Sequence, residues 1–246
     1  MTQENHPVLK GAEELYAKGN HVGCLVSHGF TGTTQSMRPL GEALIEAGYT
    51  VCMPRLKGHG THYEDMEKTT YQDWQNSIQE GYEWLKERCD SIYMAGLSMG
   101  GTLTLDMAQQ HADLKGIVLI NAAIDIPAMA EIEEDVRFLD AIGSDIKKPG
   151  VEELAYEKTP VKSIGEINQL MKQVREKLKE VEVPTLILVS EEDHVVPPRN
   201  SQDIYEKIKS EDKKLVQLSN SYHVATLDHD QDLIIKETLN FIKDYS

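Results

Sequence analysis

Cysteine, tryptophan and phenylalanine are scarce in this chain, and the scarcity of cysteine excludes one class of protein. The 246 residues include three cysteines, two tryptophans and three phenylalanines. Three cysteines cannot form a closed disulfide framework. Cys24 and Cys52 lie within apolar runs, where we expect them to pack as core residues. The sequence therefore excludes a small fold stabilised by disulfide bonds.

Positive charge is also in short supply. The chain has 25 lysine and arginine residues against 41 aspartate and glutamate residues, which gives a formal net charge of −16. Such a field repels nucleic-acid phosphates and anionic lipid head groups. We therefore expect no nucleic acid partner and no electrostatic docking to a membrane, and a small uncharged ligand is favoured.

Long hydrophobic runs are missing as well. No apolar stretch approaches the roughly 18 residues that a membrane span requires, and residues 1–10 contain no basic region followed by an apolar stretch. The sequence therefore predicts a soluble, cytoplasmic protein without stable membrane insertion. Its 40% hydrophobic and 27% charged residues are typical of a globular chain of one domain.

Short apolar runs alternate with helical patterns along most of the chain. The predicted strands are residues 22–26, 49–53, 92–95, 117–120, 185–189 and 215–218. Apolar residues at helical spacing predict helices over 74–85 and 233–242, and 102–110 is a further predicted helix. Such alternation is typical of an α/β fold, with a mostly parallel central sheet and helices on both faces.

The alternation stops after Asn121, and helical patterns without a strand continue as far as Pro184. We predict that residues 125–180 are inserted into a core formed by residues 1–124 and 181–246. The insertion contains two apolar stripes, Met129, Ile132, Val136 and Leu139, then Ile164, Ile167, Leu170, Val174 and Leu178. These stripes predict a small cap of two amphipathic helices above the strand ends. Two ordinary layer helices with a missed strand between them are the alternative.

Residues 96–100 read Gly-Leu-Ser-Met-Gly, a G-x-S-x-G pattern between a predicted strand and a predicted helix. A nucleophile at the tip of such a turn needs a strained backbone, and neighbouring elements come too close for side chains at Gly96 and Gly100. Ser98 is therefore the candidate nucleophile. The helix after it would direct its positive end at an oxyanion formed there.

A serine nucleophile needs a neighbouring base and a carboxylate that orients the base. Polar loops follow two later predicted strands, with Glu191, Glu192 and Asp193 in the first and His223 in the second. Any of the three carboxylates could serve on charge alone. His229 is a rival base, but it lies in an acidic helix start, where we expect it to be solvated. The order serine, acid, histidine is the one that this architecture requires.

Two further segments contain histidines. In residues 28–32, His-Gly-Phe-Thr-Gly, the glycines let the loop bring a backbone N–H toward the site. Phe30 and Met99 are therefore predicted to supply the N–H groups of an oxyanion hole, and His28 a structural hydrogen bond. Residues 59–65, His-Gly-Thr-His-Tyr-Glu-Asp, match no zinc-ligand spacing. They predict a structured loop and no metal site.

These segments resemble the α/β-hydrolase superfamily and, within it, bacterial monoacylglycerol lipases and their carboxylesterase relatives. The likeness lies in residues 28–33, 55–61, 96–101, 192–197 and 220–224, which span nearly the whole chain. The resemblance implies an α/β-hydrolase fold with a small helical cap and a triad of Ser98, Asp193 and His223. It selects Asp193 over the two glutamates, and it agrees with Phe30 and Met99 as oxyanion donors.

The activity implied by the resemblance is hydrolysis of monoacylglycerols and of short- to medium-chain carboxylic esters through an acyl-enzyme, without a metal or organic cofactor. Alternatives are a general carboxylesterase, an acyltransferase or C–C hydrolase, and a non-catalytic binding protein on the same fold. Within the insertion, Glu153 is the candidate for binding glycerol hydroxyls, with Glu157 as its rival. Ile142, Val151 and Leu154 are candidates for lining a slot for one acyl chain. Both glutamates could equally be solvated surface acids. The sequence leaves the oligomeric state open.

Overall fold

The computed structural model describes residues 3–130 and 136–245, and its core is a seven-stranded sheet. In spatial order the strands are β1 (Leu15–Ala17), β3 (Thr50–Met53), β2 (Val22–Ser27), β4 (Ser91–Leu97), β5 (Gly116–Ile120), β8 (Thr185–Ser190) and β9 (Lys213–Leu218). Neighbouring strands are parallel except β1, which pairs antiparallel with β3. The carboxyl ends of β2, β4, β5, β8 and β9 therefore meet at one edge of the sheet.

Helices cover both faces of this sheet. They are α1 (Arg38–Glu46), α3 (Tyr71–Lys86), α4 (Met99–Gln110), α6 (Arg199–Lys207) and α7 (Gln231–Asp244), while the short α2 (Tyr63–Met66) lies in the loop after β3 and α5 (Val161–Glu176) lies in the insertion. In β2, Leu25 packs in one apolar cluster with Trp74 of α3, while Cys24 packs in a second cluster with Leu40 of α1 and Ile234 of α7. Successive strand residues point to opposite faces, so a strand covered on both sides reads as a continuous apolar run.

Each predicted strand of the core overlaps an observed one, and the α/β prediction is confirmed. The predicted helices 74–85, 102–110 and 233–242 lie within α3, α4 and α7. Local sequence patterns did not predict α1, α6, the short edge strand β1 or the single turn of α2. In β1, Leu15 and Ala17 are only partly buried and Tyr16 is exposed. This edge strand therefore lacks the continuous apolar run by which the other strands were recognised.

The insertion between β5 and β8 contains one long helix among its described residues. The predicted second helix is α5, which buries Ile164, Ile167, Leu170 and Val174. The predicted first helix is wrong in its described part. Met129 ends a short 3₁₀ turn, Leu139 lies in strand β6 (Phe138–Asp140), and β6 pairs antiparallel with β7 (Lys158–Pro160). Ile132 lies outside the described residues.

Tertiary contacts explain why the described end of this apolar stripe, around Leu139, is not helical. Pairing with β7 extends the chain at Leu139. The guanidinium of Arg137 binds the carboxylate of Glu67 through two hydrogen bonds of 2.8 and 2.7 Å, and the Phe138 ring packs edge-on against Tyr63 at 5.1 Å. Contacts with the loop around α2 thus override the local helical spacing.

Hydrogen bonds join the insertion to the loops at the carboxyl edge of the sheet. The Tyr156 N–H donates to the Thr31 carbonyl at 3.1 Å, and the Tyr156 hydroxyl donates to the Gly58 carbonyl at 2.7 Å. The Leu154 N–H donates to the Gln35 side chain at 3.0 Å. The division of the chain into core and cap stays a prediction, but these bonds hold the insertion against the loops that follow β2 and β3. None of the described helices is long and apolar enough to cross a membrane.

Candidate active site

Ser98 stands at the turn between β4 and α4. Its backbone has φ of 57° and ψ of −119°, a conformation that residues with a side chain rarely adopt. The Ser98 N–H donates to the Ile120 carbonyl at 3.0 Å, and its carbonyl accepts the N–H groups of Gly101, Thr102 and Ala123. Strain of this kind persists only where surrounding contacts hold it, and it is concentrated at functional sites.

Two glycines give this turn the space that it needs. A Cβ atom at Gly96 would overlap the Gly100 carbonyl, and a Cβ atom at Gly100 would overlap the Ser27 carbonyl. The start of α4 therefore packs directly against the ends of β2 and β4. The close approach predicted from the G-x-S-x-G pattern is confirmed.

Asp193 orients the imidazole of His223. The distance between Asp193 Oδ2 and His223 Nδ1 is 2.8 Å, and the two side chains are only 1% and 8% exposed. The other oxygen, Asp193 Oδ1, accepts the N–H groups of Val195 at 2.9 Å and Val196 at 2.7 Å. Because a carboxylate accepts the proton on Nδ1, the lone pair remains on Nε2 of the neutral imidazole. This is the tautomer that a general base requires.

The other candidates for acid and base point into solvent. The side chains of Glu191, Glu192 and His229 are exposed. Glu192 instead approaches His194 at 3.5 Å and Lys147 at 4.0 Å. The structure thus brings together Asp193 and His223, the pair that the resemblance selects.

Asn121 is a site residue that the sequence analysis missed. It follows β5 directly and has a φ of 43°. Its side-chain N–H₂ donates to the His223 carbonyl at 2.8 Å and to the Ser190 hydroxyl at 2.9 Å, and its side-chain oxygen accepts the Ser190 N–H at 2.7 Å. The carbonyl of the preceding residue, Ile120, accepts the Ser98 N–H. The end of β5 therefore contacts both the candidate nucleophile and the loop that contains His223. A polar residue directly after a buried strand was the available signal.

Asp145 reaches the same loops from the insertion. Its Oδ2 atom accepts the N–H groups of His223 and His194, both at 3.1 Å, and its Oδ1 atom lies 2.8 Å from His194 Nδ1. The Asp145 carbonyl also accepts the Val224 N–H at 3.1 Å. One carboxylate of the insertion therefore ties the loop of the acid to the loop of the base. Nothing in the local sequence separates Asp145 from the many surface acids nearby.

The charges around His223 change its pKa. Burial lowers the pKa of the imidazole, but the hydrogen bond to Asp193 and the negative charges of Asp193, Glu153 and Asp145 outweigh burial. The net effect raises the pKa of His223 above its ordinary value of 6.5. The site therefore stabilises an imidazolium, the form that a general base acquires when it takes the serine proton.

The loop after β2 passes close to Ser98. A Cβ atom at Gly29 would lie 3.2 Å from Ser98 Cβ, so the backbone that continues into Phe30 lies beside the nucleophile. Met99 is the first residue of α4, where a backbone N–H has no acceptor within its own helix. Phe30 thus follows a residue that lies beside Ser98, and Met99 follows Ser98 directly. Their role as oxyanion donors stays a prediction.

His28 supports this loop. Its Nδ1 atom lies 3.0 Å from the Gly29 carbonyl, and Nε2 accepts the Leu56 N–H at 3.2 Å. Burial is the main cause that lowers the pKa of His28 to about 4. A neutral imidazole with a hydrogen-bonding partner at each nitrogen matches the structural role expected from the sequence.

The two predicted substrate contacts of the insertion have different surroundings. Glu153 is partly buried, and a Cβ atom at Gly32 would meet its Oε1 atom at 2.5 Å. The carboxylate therefore lies on the loop after β2, residues 28–33, which we call the oxyanion loop after its predicted role. Burial raises the pKa of Glu153, although the His223 imidazole and a hydrogen bond with Ser36 lower it in part. Ile142, by contrast, is 78% exposed. A side chain that is so exposed lines no slot among the described residues, so the structure gives no support to Ile142 as a substrate contact.

A cluster that could ligate a metal ion lies among the described residues outside the triad. His6, His62 and Glu64 each place one ligand atom within 4.8 Å of the others. His59, which the sequence groups with His62, is instead fully buried, with Nδ1 3.2 Å from the Lys57 carbonyl. His6 comes from the N-terminal segment, which no local spacing connects to this loop.

Known proteins resemble the chain over nearly its whole length. It is 59% identical over 242 residues to the thermostable monoacylglycerol lipase of Bacillus sp. (strain H-257), with 97% of each protein covered. It is 32% identical over 232 residues to the carboxylesterase of Bacillus subtilis (strain 168), with 92% of this chain and 94% of that protein covered.

Solved structures and a family model agree with these relatives. A structure from work on LipS and LipT, two metagenome-derived lipolytic enzymes, superposes with a TM-score of 0.94 at 48% identity, covering 97% of this chain and 100% of that chain. The monoacylglycerol lipase of Paleococcus ferrophilus has a TM-score of 0.78 at 18% identity and shares the fold, with 95% of this chain and 100% of that chain covered. The family model described as serine aminopeptidase, S33, matches residues 20–148 and 144–230. The chain therefore belongs to the serine aminopeptidase S33 family and has the α/β-hydrolase fold.

Proposed function

We propose that the protein is a serine esterase that hydrolyses monoacylglycerols to glycerol and fatty acid, and also cleaves short- to medium-chain carboxylic esters. The observation that carries the proposal is the buried 2.8 Å pair of Asp193 and His223, at the sheet edge that also presents the strained Ser98 turn. The relative that is 59% identical and named a monoacylglycerol lipase supports the substrate class.

In the proposed reaction, His223 Nε2 takes the hydroxyl proton of Ser98 while Oγ attacks the ester carbonyl. The N–H groups of Phe30 and Met99 donate to the oxyanion of the tetrahedral intermediate. The intermediate collapses to an acyl-enzyme, and the leaving alcohol takes the proton from His223. His223 then deprotonates a water molecule, whose attack releases the fatty acid and restores Ser98.

Every proton transfer in this scheme passes through His223, and the backbone N–H groups only donate hydrogen bonds to the oxyanion. No step calls for a metal ion or an organic cofactor. The cytoplasmic location and the lack of a nucleic acid partner remain predictions from the sequence.

The proposed preference for glycerides depends on Glu153. Its carboxylate lies against Gly32 of the oxyanion loop, and its charge acts on His223, so it is close to where the alcohol leaves. A glycerol leaving group carries free hydroxyls that can donate to a carboxylate, whereas the alcohol of a simple ester does not. Burial raises the pKa of Glu153 because it disfavours the charged carboxylate. Hydrogen bonds from glycerol hydroxyls would offset part of this cost.

A fluorophosphonate probe separates an active serine enzyme from a binding protein on the same fold. The probe should label the wild type and fail to label Ser98→Ala. Absence of labelling in the wild type would contradict the proposed function.

Two substrates of the same acyl chain test the glyceride class. We expect turnover of mono-oleoylglycerol to exceed that of trioleoylglycerol by at least tenfold in the same emulsion. Glu153→Gln should raise KM for mono-oleoylglycerol and leave hydrolysis of p-nitrophenyl butyrate nearly unchanged, with the exposed Glu157→Gln as control. Equal turnover of the two glycerides would leave a general carboxylesterase as the better description.

A further inference from the structure

The N-terminal segment folds back onto the loop that precedes α2. The Glu4 carboxylate binds the Arg55 guanidinium through two bonds of 2.7 Å and accepts the Gly58 N–H at 2.7 Å. The N–H groups of Asn5 and His6 donate to the buried carboxylate of Asp65 at 2.8 and 3.0 Å. These bonds fix the backbone that carries the His6 side chain.

Asp65 also fixes the orientation of the His6 ring. Its Oδ2 atom lies 3.0 Å from His6 Nδ1. Because Asp65 already accepts two backbone N–H groups and approaches the Lys68 ammonium at 3.2 Å, it acts as an ionised acceptor. His6 therefore donates from Nδ1 and keeps its lone pair on Nε2. A buried carboxylate behind an imidazole is the arrangement that supports histidine ligands of zinc.

A second imidazole and a carboxylate lie beside this ring. The ring centroids of His6 and His62 are 4.3 Å apart at an angle of 23°, and Glu64 Oε2 lies 3.8 Å from His62 Nδ1. One ligand atom from each of the three residues lies within 4.8 Å of the others. The side chains of His6, His62 and Glu64 are 35%, 34% and 42% exposed, so an ion can reach them from solvent.

We propose that His6, His62 and Glu64 form a binding site for a divalent transition-metal ion, with Zn²⁺ as the best fit and water as the fourth ligand. Two neutral imidazoles and one carboxylate suit zinc, whereas Mg²⁺ and Ca²⁺ prefer oxygen ligands alone. Zinc lies about 2.0–2.2 Å from such ligands and in the plane of each ligating imidazole. The stacked rings of His6 and His62 must therefore rotate apart to direct one nitrogen each at the ion, which their partial exposure allows.

Binding replaces one existing contact. His62 Nδ1 accepts the Glu64 N–H at 3.3 Å, a long hydrogen bond at the start of α2. A ligating His62 either turns Nδ1 to the metal or moves its ring proton onto Nδ1, and both changes end this bond. The Asp65 contacts of His6 remain, so the metal would join the N-terminal segment to α2 without disturbing Asp65.

The site has a predicted effect on stability that does not depend on ester hydrolysis. Metal binding to the folded chain alone shifts the unfolding equilibrium by mass action. Tm of the chelator-treated protein should therefore rise as ZnSO₄ is added. Calorimetric titration should show one equivalent bound, and Co²⁺ should give the visible absorption bands of a four-coordinate site.

Ligand variants locate the bound ion. His6→Gln and Glu64→Gln should each lower the affinity for Zn²⁺ at least tenfold and abolish the rise in Tm. His21→Gln, at an exposed histidine outside the cluster, should bind as the wild type does. One equivalent bound with unchanged affinity in His6→Gln would place the ion elsewhere and overturn the proposal. A wild-type Tm that is insensitive to Zn²⁺ would overturn it as well.

Discussion

At the scale of the single residue, we expect Ser98 to be essential for ester hydrolysis but not for the stability of the fold. Its hydroxyl stands on a turn that backbone bonds already hold, so Ser98→Ala should leave Tm nearly unchanged. Hydrolysis of p-nitrophenyl butyrate should fall by several orders of magnitude, because Ser98 is the proposed nucleophile. Turnover above about a hundredth of the wild type would show that the nucleophile is another residue.

The raised pKa of His223 predicts the acid limb of the pH profile. Because the neutral imidazole of His223 is the proposed base, kcat/KM should decline as pH falls through a value above 6.5. The sign for stability is opposite: a raised pKa favours the protonated folded state, so this contribution is present below 6.5 and is lost as pH rises through the folded-state value. A rate that stays flat down to about pH 5 would mean a different base.

Asp145 offers a separate test of the electrostatics. Asp145→Asn removes one of the negative charges that raise the pKa of His223, while the amide oxygen can still accept backbone N–H groups. The acid limb of kcat/KM should therefore move to lower pH, and Glu191→Gln, at an exposed acid, should leave it in place. An acid limb at the wild-type position in Asp145→Asn would show that this charge does not act on the base.

At the scale of secondary-structure elements, two helical glycines should respond oppositely to the same substitution. Gly165, in the interior of α5, has no atom near the place of a Cβ, so Gly165→Ala should stabilise the protein by about 0.5–1 kcal/mol. Gly100, at the start of α4, faces the Ser27 carbonyl. Gly100→Ala should therefore lower both Tm and activity, since α4 would have to move away from β2.

Denaturant unfolding of the two variants measures this difference. Destabilisation of Gly165→Ala would contradict the open space at Gly165, and stabilisation of Gly100→Ala would contradict the packing of α4 against the sheet. Activity of Gly165→Ala serves as the control, because α5 contributes no residue to the triad.

At the scale of the whole molecule, the net charge of −16 determines which surfaces the enzyme approaches. Hydrolysis of mono-oleoylglycerol should be slower in mixed micelles with an anionic detergent than in neutral micelles. Added salt should narrow the gap, because about 0.1 M salt screens charges beyond roughly 10 Å. Rates that are equal in both micelles at low salt would show that the charge does not govern the encounter.

Local sequence patterns determined the core of the sheet and the place of the nucleophile. Continuous apolar runs marked the strands, since strands buried on both faces carry no alternation. The glycines at 96 and 100 marked the serine turn, because carbonyl groups there leave no room for a Cβ. The chain order of Ser98, Asp193 and His223 followed from the loops after three of those strands, with the choice of Asp193 taken from the resemblance.

Only the tertiary structure decided the groups that act across long sequence separations. Asn121 and Asp145 reach the His223 loop from positions 102 and 78 residues away, and His6 meets Asp65 from 59 residues away. Residues 138–140 of the insertion form a strand where the apolar spacing predicted a helix, because pairing with β7 outweighed local propensity. The spacing of apolar residues indicates which face of a helix or strand is buried. It does not indicate which residues, distant in sequence, form hydrogen bonds at the ends of that element. That choice is made when the chain packs.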